Sequence, residues 1–404
     1  MSKTVFRAVI GKNFGDEGKG QLTDFLCRGE GPFLVVRCNG GAQSGHTVCH
    51  GDKRFVFHEL SSGSFCHADT FWAESFHPDL FKLSEELRQF SAIEKRTSRI
   101  LADEKAQITV LDDVLVNMAA ETARGEKRHG SCGMGIYECE LRGKAGFAVT
   151  IGDLFSLSEE EILERLLKIR KEYLPKRLES LGLSLSEMGA YGEYLQDKRM
   201  LEGYVYELKE ATKVVEPVEN ARALLLSYPE VIFENGQGLL LDAECEEFLP
   251  HVTASRTGLY HPAELVRKCG RELDEVIYVS RSYVTRHGAG ILPGECDPRT
   301  IGIFKADMTN VENPWQGRIR YAPHRDLTEF TRYVKKDFAE NRGENTVCSL
   351  ALTHMDSSEG AVIFEDRRIL AEDFLKCPEI TDTFFRCYLS FDRYSFEKAV
   401  RLHG

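Results

Sequence analysis

The stretch Val5–Gly20, VFRAVIGKNFGDEGKG, constrains this chain more than any other, because it joins an apolar run to a helical pattern through a glycine-rich, charged turn. Val5–Ile10 reads as a buried strand, and Leu22, Phe25 and Leu26 share one helical face, so the turn connects strand to helix. Such a turn points backbone N–H groups and the positive end of a helix at whatever lies above it, which suits phosphate. Lys19 is placed to reach phosphate oxygens, and Asp16 to hold Mg²⁺ or take a proton. The run departs from the P-loop consensus: Asn13 stands where the first glycine belongs, and Gly20 replaces the metal-binding Ser/Thr. Pattern alone leaves two readings open, a phosphate site or an ordinary glycine turn packing a helix on a sheet.

Composition narrows the class. A formal charge of −12 over 404 residues argues against a general nucleic-acid binder, which needs a basic footprint. The 12 cysteines are scattered without a CxxC, and the N-terminal residues lack the apolar core of a signal peptide. Reduced thiols in a cytoplasmic protein follow, and no apolar run reaches membrane-spanning length.

Further strands are expected at Phe33–Val36, Val231–Phe233, Val276–Val279 and Thr346–Leu352, with helices over Pro78–Phe90, Glu159–Leu174 and Leu327–Glu340. The predicted fold is α/β: a mostly parallel central sheet flanked by helices, with a P-loop-NTPase-like nucleotide site and helical excursions. One domain spanning 1–404 is expected, with a peripheral helical region at about 156–226. Ligands in such sheets sit outside the carboxyl ends of the strands, so Asp16 and His46 should emerge on one edge. The segment HGSCGMGIYE, His129–Glu138, offers a second anion cradle or a solvated loop. Arg318 and Arg320 project to one side if extended, suiting a carboxylate, a phosphate or a surface ion pair. Asp356, just past a strand, is placed to accept from two neighbouring guanine N–H groups or to serve a turn.

Seven collinear blocks cover most of the chain: GDEGKG at Gly15–Gly20, NGGAQSGHT at Asn39–Thr47, ENGQGLLLD at Glu234–Asp242, HVTAS at His251–Ser255, YVTRHGAG at Tyr283–Gly290, GRIR at Gly317–Arg320 and LTHMD at Leu352–Asp356. In kind and order they resemble the adenylosuccinate synthetase family. The resemblance implies a homodimeric enzyme that joins the aspartate amine to C6 of IMP using GTP and Mg²⁺. In that family O6 of the purine is first phosphorylated, and the amine then displaces phosphate.

By that match Asp16 is the base that removes the N1 proton and a Mg²⁺ contact, and His46 is the acid at O6. Lys19 neutralises the transferring phosphate, the Gly45 carbonyl completes the metal site, and Gln237 holds the purine. Gly15, Glu17, Gly18 and Gly20 belong to the phosphate loop, while Asn39, Gln43, Thr47, Ser131, Cys132 and Thr253 belong to the nucleotide sites. Arg142 stands for the arginine that crosses to the IMP phosphate of the partner subunit. Arg318 and Arg320 would bind aspartate carboxylate, Arg320 also reaching the GTP ribose, and Asp356 would select guanine.

Several positions depart from the family pattern. Asn39 and Gln43 stand for Gln and Asn; Ser131, Cys132 and Met134 stand for paired threonines and an arginine; His354 stands for a lysine along the guanine. The phosphoryl-transfer residues are kept while the substrate rims differ, so three readings follow. They are the synthetase itself, a sibling ligase using a GMP-like acceptor or another amino donor, and a nucleotide-binding homologue without catalysis.

Overall fold

The computed structural model describes residues 3–125, 130–305, 317–397 and 399–402; His129 and residues 314–316 of the arginine segment lie outside them. Strand β1 is Val5–Gly11 and lies at the centre of a sheet. Along it Phe6, Ala8 and Ile10 enter one apolar cluster while Val9 enters another with Leu22. This period of two, with both faces covered, belongs to an interior parallel strand. Helix α1, Lys19–Leu26, seals one face through the fully buried Leu22, a contact worth about 2 kcal/mol.

The other strands are β2 Phe33–Arg37, β3 His46–His50, β4 Lys53–Phe57, β5 Asp69–Trp72, β6 Ile100–Asp103, β7 Val215–Val218, β8 Glu230–Gly238, β9 Glu275–Arg281, β10 Val284–Arg286, β11 Arg320–Ala322, β12 Val347–Thr353, β13 Ala361–Ile363, β14 Arg368–Leu370, β15 Arg386–Leu389 and β16 Val400–Arg401. Ten of them form one sheet in the order β16-β15-β12-β9-β1-β8-β2-β5-β6-β7. Every adjacent pair in it is parallel except β15 with β16. The expected class is therefore the observed one.

Two details differ from expectation. Strands β1 and β2 are parallel as the short connection requires, yet β8 is inserted between them, pairing Ala8 with Phe233 on one side and Val36 with Phe233 on the other. The charged stretch before Glu219 contains not only helices but also β7, which pairs with β6 at the sheet edge. The single helix expected over Glu159–Leu174 is Glu159–Lys168 followed by a π turn, Ile169–Tyr173. These excursion helices turn Ile162, Leu166, Leu201 and Leu208 onto Trp72, Phe76 and Leu80, so their apolar faces complete a core at the β5–β7 end.

The parallel direction of β1, β8, β9 and β12 delivers four loops to one edge: Lys12–Gly18, the Gly238 turn, Arg281–His287 and Thr353–Asp356.

Candidate active site

The phosphate loop is closed by its own acid. The backbone N–H groups of Asn13 and Gly15 donate to Glu17 Oε1 at 2.9 and 2.8 Å. Lys19 Nζ donates to the Gly15 carbonyl at 2.6 Å and pairs with Glu17 Oε2 at 3.2 Å. Converging N–H groups beside a buried ammonium suit an anion, and the anion they hold here is the Glu17 carboxylate. A Cβ at Gly11 would meet Glu17 Oε2 at 2.5 Å, so this close approach requires glycine. Gly20 has a similar cause: a Cβ there would lie 2.8 Å from His46 Cβ and 2.7 Å from Ser62 Oγ. The hydroxyl residue of a P-loop has no room because the His46 strand passes against the helix.

Asp16 sits above β1 between two flanks. Its carbonyl accepts from Arg281 Nε at 2.5 Å, and its carboxyl, 25% exposed, has Oδ2 at 3.9 Å from His287 Nε2. Burial pushes its pKa up, His287 and Arg281 pull it down, and the net direction is upward, which suits a base that must take a proton.

On the β8 side, His46 opens β3 and places Nδ1 2.6 Å from Glu234 Oε1. Ser62 N–H donates to Glu234 Oε2 at 3.1 Å, and Arg37 Nη1 lies 3.7 Å from it. Burial pushes the Glu234 carboxyl up, but His46 and Arg37 outweigh it and hold it at about 2. Burial lowers His46 despite the upward pull of Glu234. The carboxylate keeps a proton on Nδ1, and Nε2 is buried without a partner among the described residues. That atom can meet a substrate oxygen, and to donate there the ring must first take a second proton from solvent, forming an imidazolium that the Glu234 carboxylate stabilises.

Three amide side chains surround Gly40. Asn39 Nδ2 donates to Gln237 Oε1 at 3.2 Å, Asn39 Oδ1 accepts from Gly236 N–H at 2.9 Å, and Gln43 Oε1 is buried without a partner among the described residues. A Cβ at Gly40 would come within 2.7 Å of Gln43 and 3.1 Å of Gln237, and its φ is +69°. Such a cluster offers both donors and acceptors to a heterocycle edge. The Asp16 carboxylate and the Gly45 carbonyl are hard oxygen donors of the kind that Mg²⁺ takes. Thr47 is half-buried on β3.

On the β9 side, Arg320 Nη1 donates to Glu295 Oε2 at 2.7 Å, and Nη2 donates to the Gly288 and Gly290 carbonyls at 2.7 and 2.9 Å. Arg318 is exposed nearby in the chain. Gly130 and Ser131 N–H groups donate to Glu121 Oε2 at 3.1 and 3.2 Å, a second cradle closed by an internal carboxylate. A Cβ at Gly130 would lie 2.6 Å from Ala289 N, so this loop backs the His287 loop. Burial pushes the Cys132 thiol up to about 11, which leaves no thiolate near neutral pH. Thr253 N–H donates to the Leu241 carbonyl at 2.8 Å in the segment after β8. At the end of β12, Thr353 Oγ1 donates to the Glu17 carbonyl at 2.7 Å, His354 adopts φ +58°, and Asp356 pairs with Lys305.

Arg142 requires a correction. It is fully buried, with Nε donating to Asp113 Oδ1 at 2.9 Å and Nη2 to Asp113 Oδ2 and the Ile108 carbonyl, each at 2.8 Å. Nη1 donates to the Phe147 carbonyl at 2.7 Å. A guanidinium so fully engaged cross-links helices Leu111–Arg124 and Ile136–Lys144 and is not offered to a partner subunit. Sequence reading also passed over Glu234, Arg281, His287 and Glu295 as individual residues, although the first and third lie inside two of the seven blocks.

A family profile described as adenylosuccinate synthetase matches residues 8–321. The adenylosuccinate synthetase of Clostridium botulinum strain Alaska E43 is 28% identical over 357 residues, 87% of this chain and 78% of that protein. Among solved structures, the fully ligated adenylosuccinate synthetase of Plasmodium falciparum superposes with TM-score 0.67 at 21% identity, covering 87% of this chain and 77% of the other. The cyanophage S-2L succinoaminodeoxyadenylate synthetase, bound to dGMP and to dATP as an energy donor, superposes with TM-score 0.63 at 16% identity, covering 100% and 96%. At these identities the two structures speak for a shared fold.

Proposed function

The chain belongs to the adenylosuccinate synthetase family of C–N bond-forming ligases, and on that premise we propose that it joins L-aspartate to C6 of a 6-oxopurine nucleoside monophosphate, using GTP and Mg²⁺. IMP is the acceptor that family membership supports. The observation that supports this reading best is the His46–Glu234 pair, in which the carboxylate takes Nδ1 at 2.6 Å and leaves the buried Nε2 without a partner among the described residues.

In the first step Asp16 takes the N1 proton, and the electron pair it releases makes O6 the nucleophile. O6 attacks the γ-phosphorus, and the bond to the diphosphate breaks. Lys19 and the N–H groups of Asn13 and Gly15 neutralise the transferring group after Glu17 yields its place, while His46 Nε2–H stabilises charge at O6. In the second step the aspartate amine attacks C6 and phosphate leaves, a far better leaving group than the oxygen of a lactam. When bound, Mg²⁺ held by the Asp16 carboxylate and the Gly45 carbonyl supplies Lewis acidity to the phosphates. Arg318 and Arg320 receive the aspartate carboxylates, Arg320 exchanging Glu295 for substrate. Asp356, released from Lys305, accepts from the GTP base beside His354. Asn39, Gln43, Gln237, Thr47, Ser131, Cys132 and Thr253 line the acceptor nucleotide.

A second reading replaces IMP by its 2-amino counterpart. The phage enzyme that covers the whole of this chain was solved with dGMP and with dATP as energy donor. A homodimer in the cytoplasm completes the proposal; among the described residues no helix is long and apolar enough to cross a membrane. The test is a product panel read by mass spectrometry, with IMP or GMP, GTP or ATP, Mg²⁺ and aspartate. A succinyl-purine nucleotide with equimolar phosphate is expected. Nucleotide binding by calorimetry with no product from any 6-oxopurine nucleotide would overturn the ligase reading.

A further inference from the structure

We propose that Asp24, His50 and Cys66 form a metal site, separate from the phosphate loop, that takes a borderline-soft dication of the Zn²⁺ class.

The three donors arrive from three elements. Asp24 lies on α1, His50 closes β3, and Cys66 ends the short helical turn Ser64–Cys66. Their ligand atoms all lie within 4.8 Å of one another. His50 Nδ1 stands 2.9 Å from Asp24 Oδ1, and Cys66 Sγ stands 3.5 Å from the same oxygen. Bond lengths usual for Zn²⁺ put the donors of a tetrahedral site about 3.4–3.6 Å apart. The Cys66 edge therefore already fits, and the His50 edge has to open by about 0.5 Å. An imidazole, a thiolate and one carboxylate oxygen select such an ion against Mg²⁺, which asks for an octahedron of hard oxygens.

Nδ1 and Sγ converge on a single carboxylate oxygen, an arrangement that one dication between them also satisfies. Binding forms metal bonds to oxygen, nitrogen and sulfur, breaks the S–H bond and releases that proton to solvent, while the neutral ring carries its proton on Nε2. Cys66 is in no disulfide, and burial and Asp24 push its metal-free thiol up to about 12, so without an ion it stays protonated and inert. The surroundings supply what a metal site needs besides its donors. Arg28 Nε and Nη2 donate to Asp24 Oδ2 at 2.9 and 2.7 Å, which fixes the carboxylate and leaves Oδ1 for the ion. The His50 ring stacks on Phe65 with centroids 5.6 Å apart, and its side chain is 33% exposed, which gives an entry path and a fourth position for water. Because α1 begins at Lys19 and β3 at His46, an ion here ties together the two elements that carry those side chains.

The experiment uses the full chain, stripped with chelator and kept in excess Mg²⁺ to occupy oxygen-donor sites. Co²⁺ is titrated by absorbance and Zn²⁺ by equilibrium dialysis, on the native chain, Cys66→Ser and His50→Gln. The native chain should take up about one ion, with a thiolate-to-cobalt charge-transfer band and the intense d–d bands of a tetrahedral ion. Each substitution should weaken Zn²⁺ binding by about a hundredfold, since losing even the partner of a ligand costs about 10–100-fold. Zn²⁺ should raise the melting temperature of the native chain and leave that of Cys66→Ser where it was. No charge-transfer band in the native chain, a band that persists in Cys66→Ser, or a Zn²⁺ affinity that either substitution leaves unchanged would overturn the proposal. The native spectrum decides by itself, so a variant that fails to fold does not shelter it. None of these readouts uses turnover, so their outcome is independent of the ligase reading.

Discussion

The two flanks of Asp16 are built on different principles. On the β8 side His46, Glu234 and Arg37 are enclosed, and Glu234 is held by His46, Ser62 and Arg37 together. On the β9 side Arg281 is buried as well, but the ion pairs farther out lie at the surface and bridge loops: Arg320 to Glu295, and at the rim Asp356 to Lys305. The first arrangement suits a group that must be aligned before charge develops, since enclosed dipoles need no reorganisation during the reaction. The second suits recognition, because each internal partner is a stand-in that a substrate carboxylate or base must displace. The phosphate loop combines both, being enclosed yet occupied by Glu17.

The contrast can be broken most directly at its centre. Asp16→Ala should lower kcat by about a thousandfold or more with an unchanged melting curve; substantial turnover would remove the base assignment. His46→Asn should cost about a hundredfold in kcat, and a cost within a few-fold would make the histidine structural. Glu234→Gln leaves the shape of the β8 flank but weakens the hold on Nδ1, so roughly a tenfold fall in kcat is expected with little change in the aspartate KM.

Across on the β9 side the effects should be smaller and fall on binding. Glu295→Gln removes the competitor for Arg320, and an exposed ion pair of this kind is worth about 0.2–1 kcal/mol, so the aspartate KM should fall by about 1.4- to fivefold. A rise in KM would show that Glu295 positions Arg320 for substrate. Least connected with turnover is Lys12, buried beneath the loop with Nζ 4.0 Å above the Phe330 ring. Burial pushes its pKa down to about 7, against the upward pull of Glu329 and Glu17. The unfolded chain therefore binds an extra proton between about pH 7 and 10.5, so Lys12 disfavours folding at pH 7 and ceases to do so as pH rises toward 10.5. Lys12→Met should be more stable than the native chain at pH 7, by about a few kcal/mol at most, with the gap closing toward pH 10. Parallel denaturant curves at both pH values would exclude that account.

Much of the site was legible because its pieces are contiguous. The turn Gly11–Gly20, the NGGAQSGHT run and the arginine segment each carry their chemistry within a few residues, and the period-two and helical patterns around them point to the sheet edge. The pairing of His46 with Glu234 was not legible, since it spans 188 positions and depends on β8 entering between β1 and β2. The burial of Arg142 is not legible, because an arginine in a charged helix looks the same whether it faces solvent or the Asp113 carboxylate.

By itself the sequence determined the α/β class, the glycine-rich strand-to-helix turn, the candidates Asp16, His46 and Lys19, and the family whose blocks they share. Those properties are written in local spacing and residue chemistry. Only the tertiary structure decided that a side chain at Gly20 would collide with His46, that Glu17 takes the N–H groups of its own loop, and that Asp16 follows a strand lying between β8, which carries Glu234, and β9, which leads to His287. The reason is that strand order, which spacing along the chain does not encode, sets which distant side chains become neighbours at the edge of the sheet.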